Sequence, residues 1–179
     1  MAYFGAHVQR ALAILTAAHG DTDVAIPLGH FRLPAGDLET AEPDASERAV
    51  DASIPSSAPL GGHNNPLDGR EFRTSPLLVR VAYRHHAEGT LDDGVDARLL
   101  GGATRTGIEA RASEDAALIE RAVGWQPNWS GLDPAVIDCA PGPEGWALTD
   151  PIDGRMTLVV PFILTTRATS PGAYGPTAT

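Results

Sequence analysis

Residues 74–112 read TSPLLVRVAYRHHAEGTLDDGVDARLLGGATRTGIEARA, and the fold follows from how this stretch is divided. It opens with Pro76 and a period-two run in which Leu77, Val79, Val81 and Tyr83 fall on one side. Leu78, Arg80, Ala82 and Arg84 fall on the other, the pattern of a strand with one buried face and one partly wet face. An acidic, glycine-containing turn (Glu88 to Gly94) comes next, and a helical pattern follows through Val95, Leu99, Leu100 and Ala103. Strand, acidic turn and helix form one unit on which the remaining segments are expected to pack.

Working outward, residues 3–19 carry Phe4, Val8, Leu12 and Leu15 at helical spacing, widened by Ala11 and Ile14, with Gly20 where a C-terminal cap belongs. Val24 to Leu33 reads as a short edge strand weakened by Pro27 and Gly29. Residues 34–75 are acidic, small and proline-punctuated, and read as an extended arm that orders only against a neighbour. On the far side of the central unit, Ser113 marks the start of a second helix with Glu114 and Asp115 in its first turn. Its stripe is Leu118, Ile119, Ala122 and Val123, and Gly124 ends it. Trp125, Pro127 and Trp129 form a connector to two strands, 135–140 and 145–149, joined by the turn PGPEG. DPIDG (150–154) is a further turn, and 156–166 is a long apolar strand bent near Pro161. Residues 168–179 read as a flexible C-terminal tail. The expected fold is a single α+β domain over 1–179: a small, mostly antiparallel sheet packed by two or three helices, with the 34–75 arm inserted.

Composition narrows the function. All 13 basic residues are Arg, and the absence of Lys removes Walker-type phosphate loops, Schiff-base chemistry and Ser-x-x-Lys acylation. A net charge of −10 opposes sequence-independent binding to DNA, whose affinity comes from cations at phosphates, but suits a passage along which DNA slides. The single Cys139 cannot build a disulfide frame or a zinc cluster within one chain, and in its apolar strand it reads as core. The N-terminus carries no secretory pattern and no apolar run approaches the ~20 residues of a membrane span, so a soluble, cytoplasmically made protein is expected.

Candidate sites are few. His85 and His86, near Glu88, Asp92, Asp93 and Asp96, are the nearest approach to a metal cluster. Adjacent strand residues point to opposite faces, which favours a solvated strand end over a shared ion. Gly101, Gly102 and Gly107 lack the preceding strand of a phosphate cradle. Asn128-Trp129-Ser130 matches a glycosylation acceptor without a secretory context. Arg80 and Arg84 share one strand face and read either as solvated surface or as partners of carboxylates across a subunit contact. No catalytic constellation is present in the pattern, so a non-enzyme without cofactor or metal is expected.

The layout resembles a known family. The segment SPLLVRVAYRHHAEG followed by ARLLGGATRTGIEA, with an N-terminal helix before it and an apolar last strand after it, is similar to tail terminator (tail completion) proteins of tailed bacteriophages. It also resembles the related caps of contractile injection systems. The likeness covers residues 3–20 and 75–167, and the 34–75 insertion is longer than the family's minimal form. The resemblance implies a structural virion protein assembled in the host cytoplasm. It would form a ring, usually a hexamer, at the head-proximal end of the tail tube, contacting the tube protein and the head-side connector while DNA passes through the lumen without specific binding. It assigns no residue a role, because the family has no fixed interface motif. A different neck protein, a stopper or adaptor, is the alternative within the same class. A small metal-dependent enzyme using His85 or His86 is the alternative outside it.

Overall fold

A computed structural model describes residues 4–17, 31–32, 48–60, 70–85, 105–152 and 154–169. Two fifteen-residue strands form its spine. β4 (Arg70–Arg84) and β7 (Arg155–Thr169) pair antiparallel along their whole length, from Arg70 opposite Thr169 to Arg84 opposite Arg155. Alternation in both sequences dictates the outcome: Leu77, Val79, Val81 and Tyr83 of β4 bury on the same face as Met156, Leu158, Val160, Phe162 and Leu164 of β7. The strand expected at 156–166 is therefore present, extended at both ends. It includes Arg167 to Thr169, so the loose tail expected from 168 begins inside a strand, and 170–179 lie outside the described residues.

On the outer side of β4 runs β2 (Arg48–Ser53), antiparallel, with Val50 opposite Val81 and Ala52 opposite Val79. β1 (Phe31–Arg32) pairs parallel with β2, and β3 (Ala58–Pro59) pairs with β4 near Thr74. The stretch read as an arm, 34–75, thus contains a core strand. Val50 and Ala52 are buried against the central strands, and Arg70 to Ser75 already belong to β4. A six-residue strand, RAVDAS, with one large apolar side chain is enough here. It adds to an existing apolar edge and does not have to nucleate a sheet of its own.

On the other side of β7 lie β5 (Ala135–Pro141) and β6 (Ala147–Leu148), giving the sheet order β1-β2-β4-β7-β5 with β6 also on β7. The two strands expected on either side of the PGPEG turn are present, and they follow one another along the same edge of β7, β5 against 162–167 and β6 against Leu158 and Val159. The break falls at Pro161, which has no N–H to offer on that edge. Its carbonyl accepts from the Gly142 amide at 2.7 Å, and the chains come so close that a Cβ on Gly142 would lie 2.9 Å from the proline ring. A bulge between Val136 and Asp138 turns Ile137 outward.

Helices α1 (Gly5–Ala17) and α2 (Arg105–Gly124) both pack on the buried face. Helix α2 starts well before the expected Ser113. Ile108, Ala112, Ala116, Ile119 and Val123 recur at three- and four-residue intervals and form one continuous stripe through that point. Asp115 is accordingly not a first-turn acid but a buried mid-helix residue. The helical pattern expected through Val95 to Ala103, and most of the strand expected over 24–33, lie outside the described residues. The fold is α+β, with a mostly antiparallel sheet covered by helices on one side.

Candidate interaction surface

The sheet face away from the helices is built by the even-numbered residues of β4 and the odd-numbered residues of β7. Register places Pro76 opposite Ile163, Leu78 opposite Pro161 and Arg80 opposite Val159. Pro76, Leu78, Arg80, Val159 and Pro161 are half-buried, Ile163 is 37% exposed, and Ala82 with Ala49 opposite it on β2 is buried on this same face. No described helix packs on this face. Ile137, lifted out by the bulge, is 39% exposed on the adjoining strand. Thr157 and Arg155 lie toward one end, and Thr165 and Arg167 toward the other.

Arg80, singled out from the sequence as a subunit contact or as solvated surface, has a partner in its own chain. Asp51 sits directly across the β2–β4 register, and the two side chains form an ion pair at 2.5 Å. Opposition on adjacent antiparallel strands brings the two side chains of such a pair within reach, so the pairing follows from β2, which the sequence reading did not anticipate. Arg84 ends β4 opposite Arg155, and its side chain lies outside the described residues.

A second polar cluster, missed in the sequence, lies on the helix-covered face. Arg48 begins β2, Tyr83 stands opposite it near the end of β4, and both reach Asp115 on α2. The Arg48 guanidinium donates to one carboxylate oxygen at 2.6 Å and the Tyr83 hydroxyl to the other at 2.7 Å. Arg48 is 6% exposed and Asp115 fully buried. Burial pushes the Asp115 carboxyl above its ordinary range, opposed by Arg48 and by the Tyr83 hydrogen bond, and burial beside that carboxylate pushes the Tyr83 phenol up. The cluster is buried under the helix and ties β2 and β4 to α2.

The remaining candidates separate. The His85 amide donates to the Gly154 carbonyl at 2.8 Å, while His86, Glu88, Asp92, Asp93 and Asp96 lie outside the described residues. Among the described residues no three His, Cys, Asp or Glu side chains gather as metal ligands. Cys139 is buried in the core, and burial raises its thiol to about 12, which suppresses the reactive thiolate. Gly107 lies in α2; Gly101 and Gly102 are outside the description. Asn128 and Trp129 are used internally, donating to the carbonyls of Ala122 and Val123. An open groove of about 510 Å³ between α1 and the turn at Gln126–Trp129 is lined mainly by Ala13, Ile14, Ala17 and Pro127, with Arg10 bonded to the Asn128 carbonyl. It lacks a cluster of convergent polar groups of the kind that orients a small ligand.

None of the described helices is long and apolar enough to cross a membrane. Neither a scan of the chain against protein-family models nor a search of curated protein sequences finds a match.

Proposed function

We propose that this protein is a structural assembly protein of the tail-terminator type: a ring, of six subunits in the simplest form, that caps the head-proximal end of a phage tail tube and presents a surface to the head-side connector. One observation carries the reading. The long β4–β7 platform is covered by helices on one face, and among the described residues no helix packs on the other, where Leu78, Pro161 and Ile163 stand together. Contiguous apolar surface rimmed by polar residues marks a contact with another macromolecule. The layout of helix, VRVAYR strand and apolar last strand supports the family assignment, and the net charge of −10 fits a lumen through which DNA passes without being held. The protein acts in the virion neck, as a scaffold without catalytic turnover.

Negative-stain imaging of the purified protein, alone and mixed with isolated tail tubes, tests this. Rings, or density at one end of the tubes, are expected. Binding to head-side connectors with no affinity for tubes would move the protein to the stopper or adaptor position. Compact single particles with affinity for neither would overturn the proposal.

A further inference from the structure

We infer that one water molecule is bound inside the core, bridging His7 Nδ1, Ser75 Oγ and Thr166 Oγ1 and so joining α1 to β4 and β7. The site lies within one subunit and is independent of whether copies assemble into a ring.

Burial and pairing come first. His7 is fully buried, and Ser75 and Thr166 are each 1% exposed. The three named atoms are shut off from solvent and have no hydrogen-bond partner among the described residues. Buried polar atoms left that way are costly, and native cores satisfy nearly all of them with protein groups or internal water. Register places all three toward one end of the sheet. Thr166 stands across from Val136 on β5, and His7 is bonded at 2.8 Å to the carbonyl of Pro134, two residues before Val136. Ser75 pairs with Leu164, two residues before Thr166 on the same buried face, which makes Ser75 and Thr166 diagonal neighbours.

Spacing selects a bridge over a direct bond. Diagonal residues on adjacent antiparallel strands are about 7–8 Å apart at Cα, too far for two short hydroxyl side chains to meet. Two hydrogen bonds of about 2.8 Å through a shared oxygen span about 5.5 Å, which fits. Donors on the elements that meet here are committed. Arg73, directly across from Thr166, donates to Ser57 and Glu71, the Gln126 amide to the Val136 carbonyl, and the Trp129 ring to the Val123 carbonyl.

Polarity selects water. His7 Nε2–H donates to Pro134, so in the neutral ring Nδ1 only accepts. Each hydroxyl both donates and accepts. A water that donates to Nδ1 and to one hydroxyl, and accepts from the other, makes the three bonds typical of internal water. An apolar filler would leave all three atoms unpaired.

A high-resolution crystal structure of the full chain is the test, with water–protein NOE spectroscopy beside it. One ordered oxygen within about 2.6–3.2 Å of all three atoms is expected, with water cross-peaks to the side-chain protons of Ser75 and Thr166. Ser75→Ala and Thr166→Val, with folding verified by circular dichroism, add a second readout. Because each removes a partner of the same water, the double variant should lose clearly less melting temperature than the two single losses added together. Strictly additive losses overturn the inference. So does a dry gap between the three side chains, a direct bond from any of them to another protein group, or a ring nitrogen shift that places the His7 proton on Nδ1. If a variant fails to fold, the wild-type crystal structure and cross-peaks decide.

Discussion

Arg48 on β2 and Asp115 on α2 form a 2.6 Å ion pair, almost wholly out of solvent, that ties the outer part of the sheet to the helix layer. Removing one partner leaves the other charge buried, which costs about 3–5 kcal/mol. Asp115→Ala is therefore expected to lower unfolding free energy by that amount in urea titrations, with the denaturant slope unchanged. Tyr83→Phe, which removes only the 2.7 Å hydrogen bond, should cost about 1 kcal/mol. Replacing all three side chains together by Met, Leu and Phe of similar volume is expected to restore most of the loss, because no charge then remains buried. A triple variant as unstable as Asp115→Ala would show that the site depends on something other than charge compensation.

Arg80 and Asp51 present the half-exposed counterpart on the opposite face. A cross-strand pair of this exposure contributes about 0.2–1 kcal/mol. Arg80→Glu sets two carboxylates opposite one another and should lower the melting temperature by a few degrees. The charge swap Arg80→Asp with Asp51→Arg should bring it back. Recovery of stability together with an unchanged oligomer would confine the pair to a role within the subunit.

These two pairs also show what was legible beforehand. The alternation of β4 and β7 could be read directly, because Leu77, Val79 and Val81 on one strand and Leu158, Val160 and Phe162 on the other give strong period-two signals. Helix α1 and the core of α2 were legible for the same reason at period 3.6. β2 was not: RAVDAS has one large apolar residue, and its place in the sheet is decided by the neighbouring β4, not by its own pattern. With β2 unseen, Arg48 and Asp51 had no location, so Asp115 read as a helix-start acid and Arg80 lacked its partner. The face away from the described helices was half-legible, since Leu78 and Ile163 alternate correctly, but which face the helices cover is a tertiary fact. The turn PGPEG and the strands on either side of it were legible from their residues, but that both strands line the edge of β7 is decided by the pairing β7 offers.

Gly142 gives a steric prediction. A Cβ there would meet the Pro161 ring at 2.9 Å, closer than real Cβ contacts come, and its carbonyl oxygen at 3.1 Å, a tight contact. Gly142→Ala should push the two chains apart, lengthen the 2.7 Å hydrogen bond to Pro161 and cost about 1–3 kcal/mol. Gly5→Ala is the control: a Cβ at Gly5 meets nothing within 4 Å, and alanine favours the helix it begins. It should be neutral or stabilising by up to about 1 kcal/mol.

Cys139 reports on the opening of the core. With the thiol pushed up to about 12 and buried beneath the helices, disulfide-exchange reagents at pH 8 should react negligibly with the native protein and stoichiometrically in denaturant. Labelling rates in intermediate denaturant should then track the population of the open state. Rapid reaction under native conditions would place β5 at the mobile margin of the fold instead of in its core.

His7 makes the fold sensitive to acid. It is fully buried on α1, its Nε2–H donates to the Pro134 carbonyl at 2.8 Å, and Nδ1 has no hydrogen-bond partner among the described residues. Burial lowers its pKa below the ordinary 6.5, partly offset by the Pro134 carbonyl and by Asp133. The sign follows from proton counting. Above pH 6.5 the ring is neutral in both states and contributes no pH dependence. As pH falls below that value the unfolded chain takes up the proton first, so stability declines until the folded pKa is passed and then levels off. The slope contributed by this one group is at most about 1.4 kcal/mol per pH unit. His7→Gln keeps an amide donor for Pro134 and removes the titration, so its stability should fall less steeply than wild type between pH 6.5 and the folded pKa. Matched urea titrations across that window measure the difference. Parallel curves would mean that His7 keeps its ordinary pKa in the folded chain and that Nδ1 finds an acceptor when protonated.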